Sequence, residues 1–165
     1  MNLKDYFKDQ FEYDFLEWKN DSDIEVLIEE KFQKYQNVNQ LIIVGDSTGA
    51  NFAYQLCELR NCKFDILVLT SPLLDIEKRI ANFDFPDLIK PQLMKIENPK
   101  NALIIATKND EILDQTWLFE MNLENTQLLE VDDNHRMINF NHYLPKIENY
   151  INPNKDKLET VKDRN

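Results

Sequence analysis

The 165-residue chain has only two glycines, two cysteines and two histidines, and each shortage narrows what it can be. Cys57 and Cys62 lie five apart with no second cysteine pair or nearby histidine, so they make no metal site, and both read as free thiols packed in or near the core. No run comes near the roughly 18 consecutive apolar residues of a membrane span. The opening MNLKDYFKDQFEYDF lacks the basic start and apolar core of a secretory signal. A cytoplasmic chain without a membrane partner is therefore expected. Positive charge is also scarce: 19 basic against 30 acidic residues leave a net charge of −11, a surface that repels nucleic-acid phosphates. There is no repeat, low-complexity tract or internal linker. Residues 1–151 read as one domain, long enough to bury a core, and 152–165 as a polar C-terminal tail.

Both glycines fall within five residues, in the stretch LIIVGDSTGANFAYQL from Leu41 to Leu56. An apolar run breaks at Gly45-Asp46-Ser47-Thr48-Gly49 and resumes as a helix rich in small residues. This is the pattern G-x-S-x-G, in which a serine occupies a strained strand-to-helix turn. Gly45 and Gly49 are expected to be glycine because a Cβ at either position would clash as strand and helix close together.

The rest of the chain alternates strand and helix patterns. A short helix over Asn2–Gln10 precedes a strand at Phe11–Trp18. Ser22-Asp23-Ile24-Glu25 fits a capping box for an amphipathic helix reaching Gln36. Strands follow at Leu41–Val44, Phe64–Thr70, Ala102–Ala106 and Thr126–Val131. Leu73–Ile80 and Leu113–Leu123 have helical spacing, and a closing helix runs over Phe140–Ile151. Phe83–Leu93, punctuated by Pro86 and Pro91, offers an apolar wall for a pocket. The expectation is an α/β fold: a mostly parallel five-stranded sheet with helices on both faces. Sites in such sheets lie beyond the carboxyl ends of the strands.

The polar residues at those ends are Asp46 and Ser47, Ser71, Asp110, and Asp133 to His135. A serine hydroxyl becomes a useful nucleophile when an imidazole takes its proton and a carboxylate holds that imidazole in the right tautomer. Ser47, Asp110 and His135 occur in the chain order of that constellation on α/β-hydrolase sheets. His142 competes with His135 but sits within the closing helix pattern. Glu111, Asp114, Asp132 and Asp133 compete with Asp110, whose place directly after ALIIATKN favours it.

With these residues in hand, the chain resembles the small YqiA-like esterases of the α/β-hydrolase superfamily. The likeness is carried by LIIVGDSTGANFAYQL, ATKNDEILD and DDNHRMINFNHYLPKIENYI, and it spans roughly Leu3 to Ile151. It implies a reduced α/β-hydrolase fold, with Ser47 as nucleophile, Asp110 as acid, His135 as base and the Thr48 backbone amide as an oxyanion donor. Gly45 and Gly49 would be the elbow glycines. The implied activity is hydrolysis of a small-molecule carboxylic ester or thioester through an acyl-enzyme, without cofactor or metal. The alternative is a non-catalytic binding protein of the same fold. Two features depart from the family pattern. Asp46 precedes the serine, and no His-Gly dipeptide, the family's oxyanion loop at the end of its first strand, occurs in the chain. Without that strand, Phe11–Trp18 is expected to close up beside Leu41–Val44, giving five strands in sequence order.

Overall fold

The computed structural model describes residues 3–61 and 65–153. Cys62, the start of the strand expected at Phe64 and the end of the polar tail lie outside them. The described residues form two compact units, 15–138 and a smaller one made of the flanking segments up to 14 and from 139.

The larger unit is built on four parallel strands in the order β1 (Ile42–Asp46), β2 (Ile66–Thr70), β3 (Ala102–Ala106) and β4 (Gln127–Glu130). Four strands, not five, make the sheet: Phe11–Trp18 is irregular and pairs with nothing in it. The alternation in that stretch has another use. Leu16 and Trp18, two apart, pack against the core, where Trp18 meets the Phe52 ring edge-on at 5.4 Å. A period of two is satisfied as well by an extended segment laid on a helix as by a strand in a sheet.

The strands fit their places. All five residues of β3, ALIIA, are buried, as expected of an inner strand covered on both faces. β1 alternates between covered and open positions, with Val44 39% exposed, as an edge strand does. The register pairs Asp46 with Thr70, Thr70 with Ile105 and Ala106 with Glu130, so the four strands end level and the loops after them emerge together.

Helix α2 (Ile24–Tyr35) is capped one residue later than the capping box implies. The Asp23 carboxylate accepts from the Val26 amide at 3.1 Å, while the Ser22 hydroxyl accepts from the Lys19 amide at 2.8 Å and closes the preceding turn. Helix α3 (Thr48–Leu59) lies against β1 and β2, with α2 against it. Cys57, on α3, is buried and disulfide-bonded, which corrects its reading as a free thiol.

Where longer helices were expected after β2 and β3, there are 3-10 turns at Ile76–Lys78 and Thr116–Glu120. Asp75 and Asp114 each use a carboxylate to hold an amide two residues on, a local bond that competes with α-helix. The smaller unit holds α1 (Leu3–Phe7) and α4 (Leu144–Ile151). Within it the Tyr6 hydroxyl donates to Glu148 at 2.8 Å, and Phe7 stands edge-on to Tyr6 and Phe11.

Candidate active site

At the end of β1 the chain turns through Ser47 with φ 49° and ψ −119°, a conformation that a residue with a side chain rarely adopts. Backbone bonds hold the turn from both sides. The Ser47 amide donates to Thr70 O at 3.0 Å, and the Ser47 carbonyl accepts from Leu73 and Ala50 at 3.0 and 3.1 Å. Gly45 makes the close approach possible, because a Cβ there would meet Ala50 Cα at 2.5 Å, the Gly49 carbonyl at 2.6 Å and Ala53 Cβ at 2.7 Å. Gly49 does not share this duty. A Cβ on it would point into open space, and its φ is not positive, so the expected clash there is corrected. Thr48 is the first residue of α3, so its amide has no acceptor within the helix.

The loop after β3 carries Asp110, whose carboxylate is fully shielded from solvent. Its Oδ1 accepts from the Ile112 and Leu113 amides, both at 2.9 Å. The loop is in turn fastened to the segment after β2: Ile80 and Ala81 donate to Ile112 O, and Asp114 donates to Lys78 O at 2.7 Å. The loop after β4 brings His135. Asp133 shapes that loop by accepting from the Asn134 and Ile138 amides at 2.9 and 3.1 Å, while the His135 amide donates to Glu111 Oε2 at 3.0 Å.

Ser47, Asp110 and His135 are thus brought together. The His135 Nε2 lies 2.9 Å from Ser47 Oγ, and its Nδ1 lies 3.0 and 2.9 Å from the two oxygens of Asp110. His142 belongs to a 3-10 turn (Phe140–His142) of the smaller unit. Asp114 is occupied with Thr116 and Asp133 with its own loop. Ser71 is fully buried at φ 39°, its hydroxyl without a hydrogen-bond partner among the described residues.

The charges sharpen the arrangement. Burial opposes charge on Asp110, but the His135 hydrogen bond and the Leu113 and Ile112 amides outweigh it and hold the carboxyl below its ordinary range. Burial likewise opposes the imidazolium of His135. The bond to Asp110 and the charges of Asp110, Asp46 and Glu111 outweigh that and raise its pKa. An imidazole between a hydroxyl and a buried carboxylate can take the hydroxyl proton and be stabilised once charged. Among the described residues no group of three His, Cys, Asp or Glu side chains could hold a metal ion. No helix among them is long and apolar enough to cross a membrane.

Some contributors have no motif to announce them. Thr107, fully buried after β3, donates through its hydroxyl to Asp133 O at 3.0 Å and ties the Asp110 loop to the His135 loop. Asn51, fully buried on α3, donates to Leu73 O and Met94 O at 2.9 and 2.8 Å and accepts from the Met94 amide at 3.0 Å. It ties the start of the segment after β2, at Leu73, to Met94, the residue that follows the Phe83–Leu93 stretch expected to wall a pocket. Within Phe83–Leu93, Ile89 is in the core and Phe85 and Leu93 pack against it, while Phe83 and Leu88 are each 62% exposed. In the sequence, only an asparagine four residues after Ser47, within the helix pattern, points to such a clamp.

The model of a family described as an uncharacterised protein family, UPF0227, matches residues 8–152, and the chain belongs to that family. No curated protein matches the sequence. Among solved structures it is similar to the type II thioesterase BorB from the borrelidin biosynthetic cluster, at 12% identity and a TM-score of 0.52, covering 78% of this chain and 70% of that one. It is also similar to a serine hydrolase from the polyaromatic hydrocarbon-degrading bacterium Cycloclasticus zankles, at 12% identity and a TM-score of 0.52, covering 81% and 72%. At this identity the likeness concerns the fold, which is that of the α/β-hydrolases, here with four parallel strands.

Proposed function

We propose that this member of the UPF0227 family is a serine hydrolase cleaving a small-molecule carboxylic ester or thioester through an acyl-enzyme on Ser47. The observation that carries the reading is the continuous chain of contacts from Ser47 Oγ to His135 Nε2, and from His135 Nδ1 to the buried Asp110 carboxylate. Ser47 Oγ attacks the substrate carbonyl carbon while His135 Nε2 takes the hydroxyl proton. The imidazolium is held by Asp110, and the Thr48 amide donates to the oxyanion. His135 returns the proton to the departing alcohol or thiol. Water, deprotonated by the same nitrogen, then releases the acid and restores Ser47. No cofactor enters these steps. The two similar structures, a thioesterase and a serine hydrolase, are of this class.

A fluorophosphonate probe tests the reading. It is expected to label the chain at Ser47, and Ser47→Ala is expected to remove both labelling and hydrolysis of nitrophenyl esters with the fold intact. An unlabelled, folded chain would favour a non-catalytic binding protein of the same fold. Equal labelling of the Ser47→Ala variant would place any nucleophile elsewhere.

A further inference from the structure

The residue before Ser47 is a carboxylate that the steps above do not use. Asp46 ends β1, and its Oδ1 accepts from the Thr70 hydroxyl at 2.7 Å. Thr70 is its register partner at the end of β2, is buried, and also accepts the Ser47 amide on its carbonyl. One residue of β2 therefore fixes both the serine turn and the carboxylate beside it, at the strand ends where a substrate would bind.

The charged groups acting on His135 come from two elements, Asp110 and Glu111 from the loop after β3 and Asp46 from β1. On Asp46 burial is the largest influence and raises its pKa above the ordinary carboxylate value, against the Thr70 hydrogen bond and the charge of His135, which favour the carboxylate; Asp110 opposes it. The first turn of α3, Thr48 to Asn51, packed against β1, carries no charged residue. The imidazole therefore has the charge of Asp110 at its Nδ1 and that of Asp46, the neighbour of Ser47, acting on it as well, with no cation among the described residues acting on Asp46 except the imidazolium itself.

We propose that Asp46, fixed by Thr70, is a specificity-determining residue. It stabilises the imidazolium as Ser47 gives up its proton and turns away esters or thioesters bearing negative charge beside the scissile carbonyl, leaving neutral and cationic ones. This deepens the serine-hydrolase reading and rests on it. Shielding of an edge strand, a common task for a charged residue, would account for an acid at this position. It would not account for the tether to Thr70, nor for selectivity by substrate charge.

The test uses the full chain and Asp46→Asn, which keeps an oxygen to accept from Thr70. Three nitrophenyl esters of matched length are compared: neutral, carboxylate-bearing and trimethylammonium-bearing. In the native chain kcat/KM is expected to fall from cationic through neutral to anionic. In Asp46→Asn the anionic-to-neutral ratio should rise about five-fold or more, the scale of unit charges about 4 Å apart when screened as fully as in bulk water. The effect should fade in high salt. In parallel, NMR titration, with His135 distinguished from His142 by a His135→Ala control, should show the His135 pKa falling in Asp46→Asn. That readout needs no turnover. If no ester is cleaved and no probe binds Ser47, the hydrolase reading fails, and an unmoved titration would still overturn the action of Asp46 on His135. If esters are cleaved and the charge ratios do not change, the proposed discrimination is wrong.

Discussion

Gly45→Ala should unfold the serine turn from beneath, and Gly49→Ala, four residues away, should do the opposite. An alanine methyl at 45 would lie 2.5 Å from Ala50 Cα, 2.6 Å from the Gly49 carbonyl and 2.7 Å from Ala53 Cβ. Two of these three are backbone atoms of α3, so no side chain can rotate out of the way, and the helix start must move by most of an ångström. Overpacking of this kind costs about 1–3 kcal/mol and sometimes more, and the backbone contacts place Gly45→Ala at or above about 3 kcal/mol. For a chain of this size each 1 kcal/mol is worth about 2–4 °C in Tm, so a fall on the order of 6–12 °C is expected. At Gly49 the added methyl meets nothing within 4 Å, and the position is helical with no positive φ. Alanine there should gain about 0.4–1 kcal/mol by narrowing the unfolded ensemble. Thermal and urea unfolding of the two variants, measured together, decide the matter. A Gly45→Ala chain as stable as the native one, or a Gly49→Ala chain equally damaged, would show that strand and helix do not meet as described.

Asp110→Asn should lower kcat by several orders of magnitude with little change in KM, because an amide favours the wrong tautomer, whereas His142→Ala should leave activity within a few-fold. A strong loss in His142→Ala alone would overturn the choice of base. The rate should rise with pH as His135 loses its proton, with a midpoint above the unperturbed 6.5 because the folded-state pKa is raised. A midpoint at or below that value would contradict the charges around the imidazole. The same shifts set stability. The His135 contribution is fully present below about pH 6.5 and is lost as pH rises through the raised folded value. The contribution of Asp110, whose pKa is lowered, is present above about 3.8 and is lost as pH falls through its folded value. His135→Ala should flatten both arms in unfolding titrations.

What could be read from the sequence depended on how local the cause was. The strand-turn-helix around Ser47 was legible because the glycine at 45 and the apolar run before it are local requirements. The Asp110 and His135 loops were legible because buried strands such as ALIIA announce their own ends. Gly49 looked as constrained as Gly45, but its open surroundings depend on how α3 leaves the turn, which no residue type records. The tethers from Thr70 to Asp46 and from Thr107 to the Asp133 carbonyl, and the Asn51 clamp on the segment after β2, join residues 24, 26 and up to 43 positions apart. A threonine at a strand end or an asparagine in a helix has many ordinary roles. The cap of α2 fell on Asp23 because the Ser22 hydroxyl was already engaged by Lys19.

The expectation of a fifth strand failed for a reason that bears on the site. In β1 the Leu41 carbonyl accepts from Ile66 and the Ser47 amide donates to Thr70, so residues 41, 43, 45 and 47 turn their backbone groups toward β2. Parallel pairing then turns those of Ile42, Val44 and Asp46 the other way, toward the side where no described strand pairs. A segment pairing there would run its side chains past Asp46. Phe11–Trp18 carries Glu12, Asp14 and Glu17, and any of them set opposite Asp46, the one acid of β1, would make a like-charge pair, which destabilises a strand pair. Docking Leu16 and Trp18 on the core buries the apolar half of the stretch without that penalty. The acid that would oppose such a pairing is the one fixed beside Ser47. In the reading proposed for the site, a single charge therefore shapes both how the sheet ends and which substrates approach the serine.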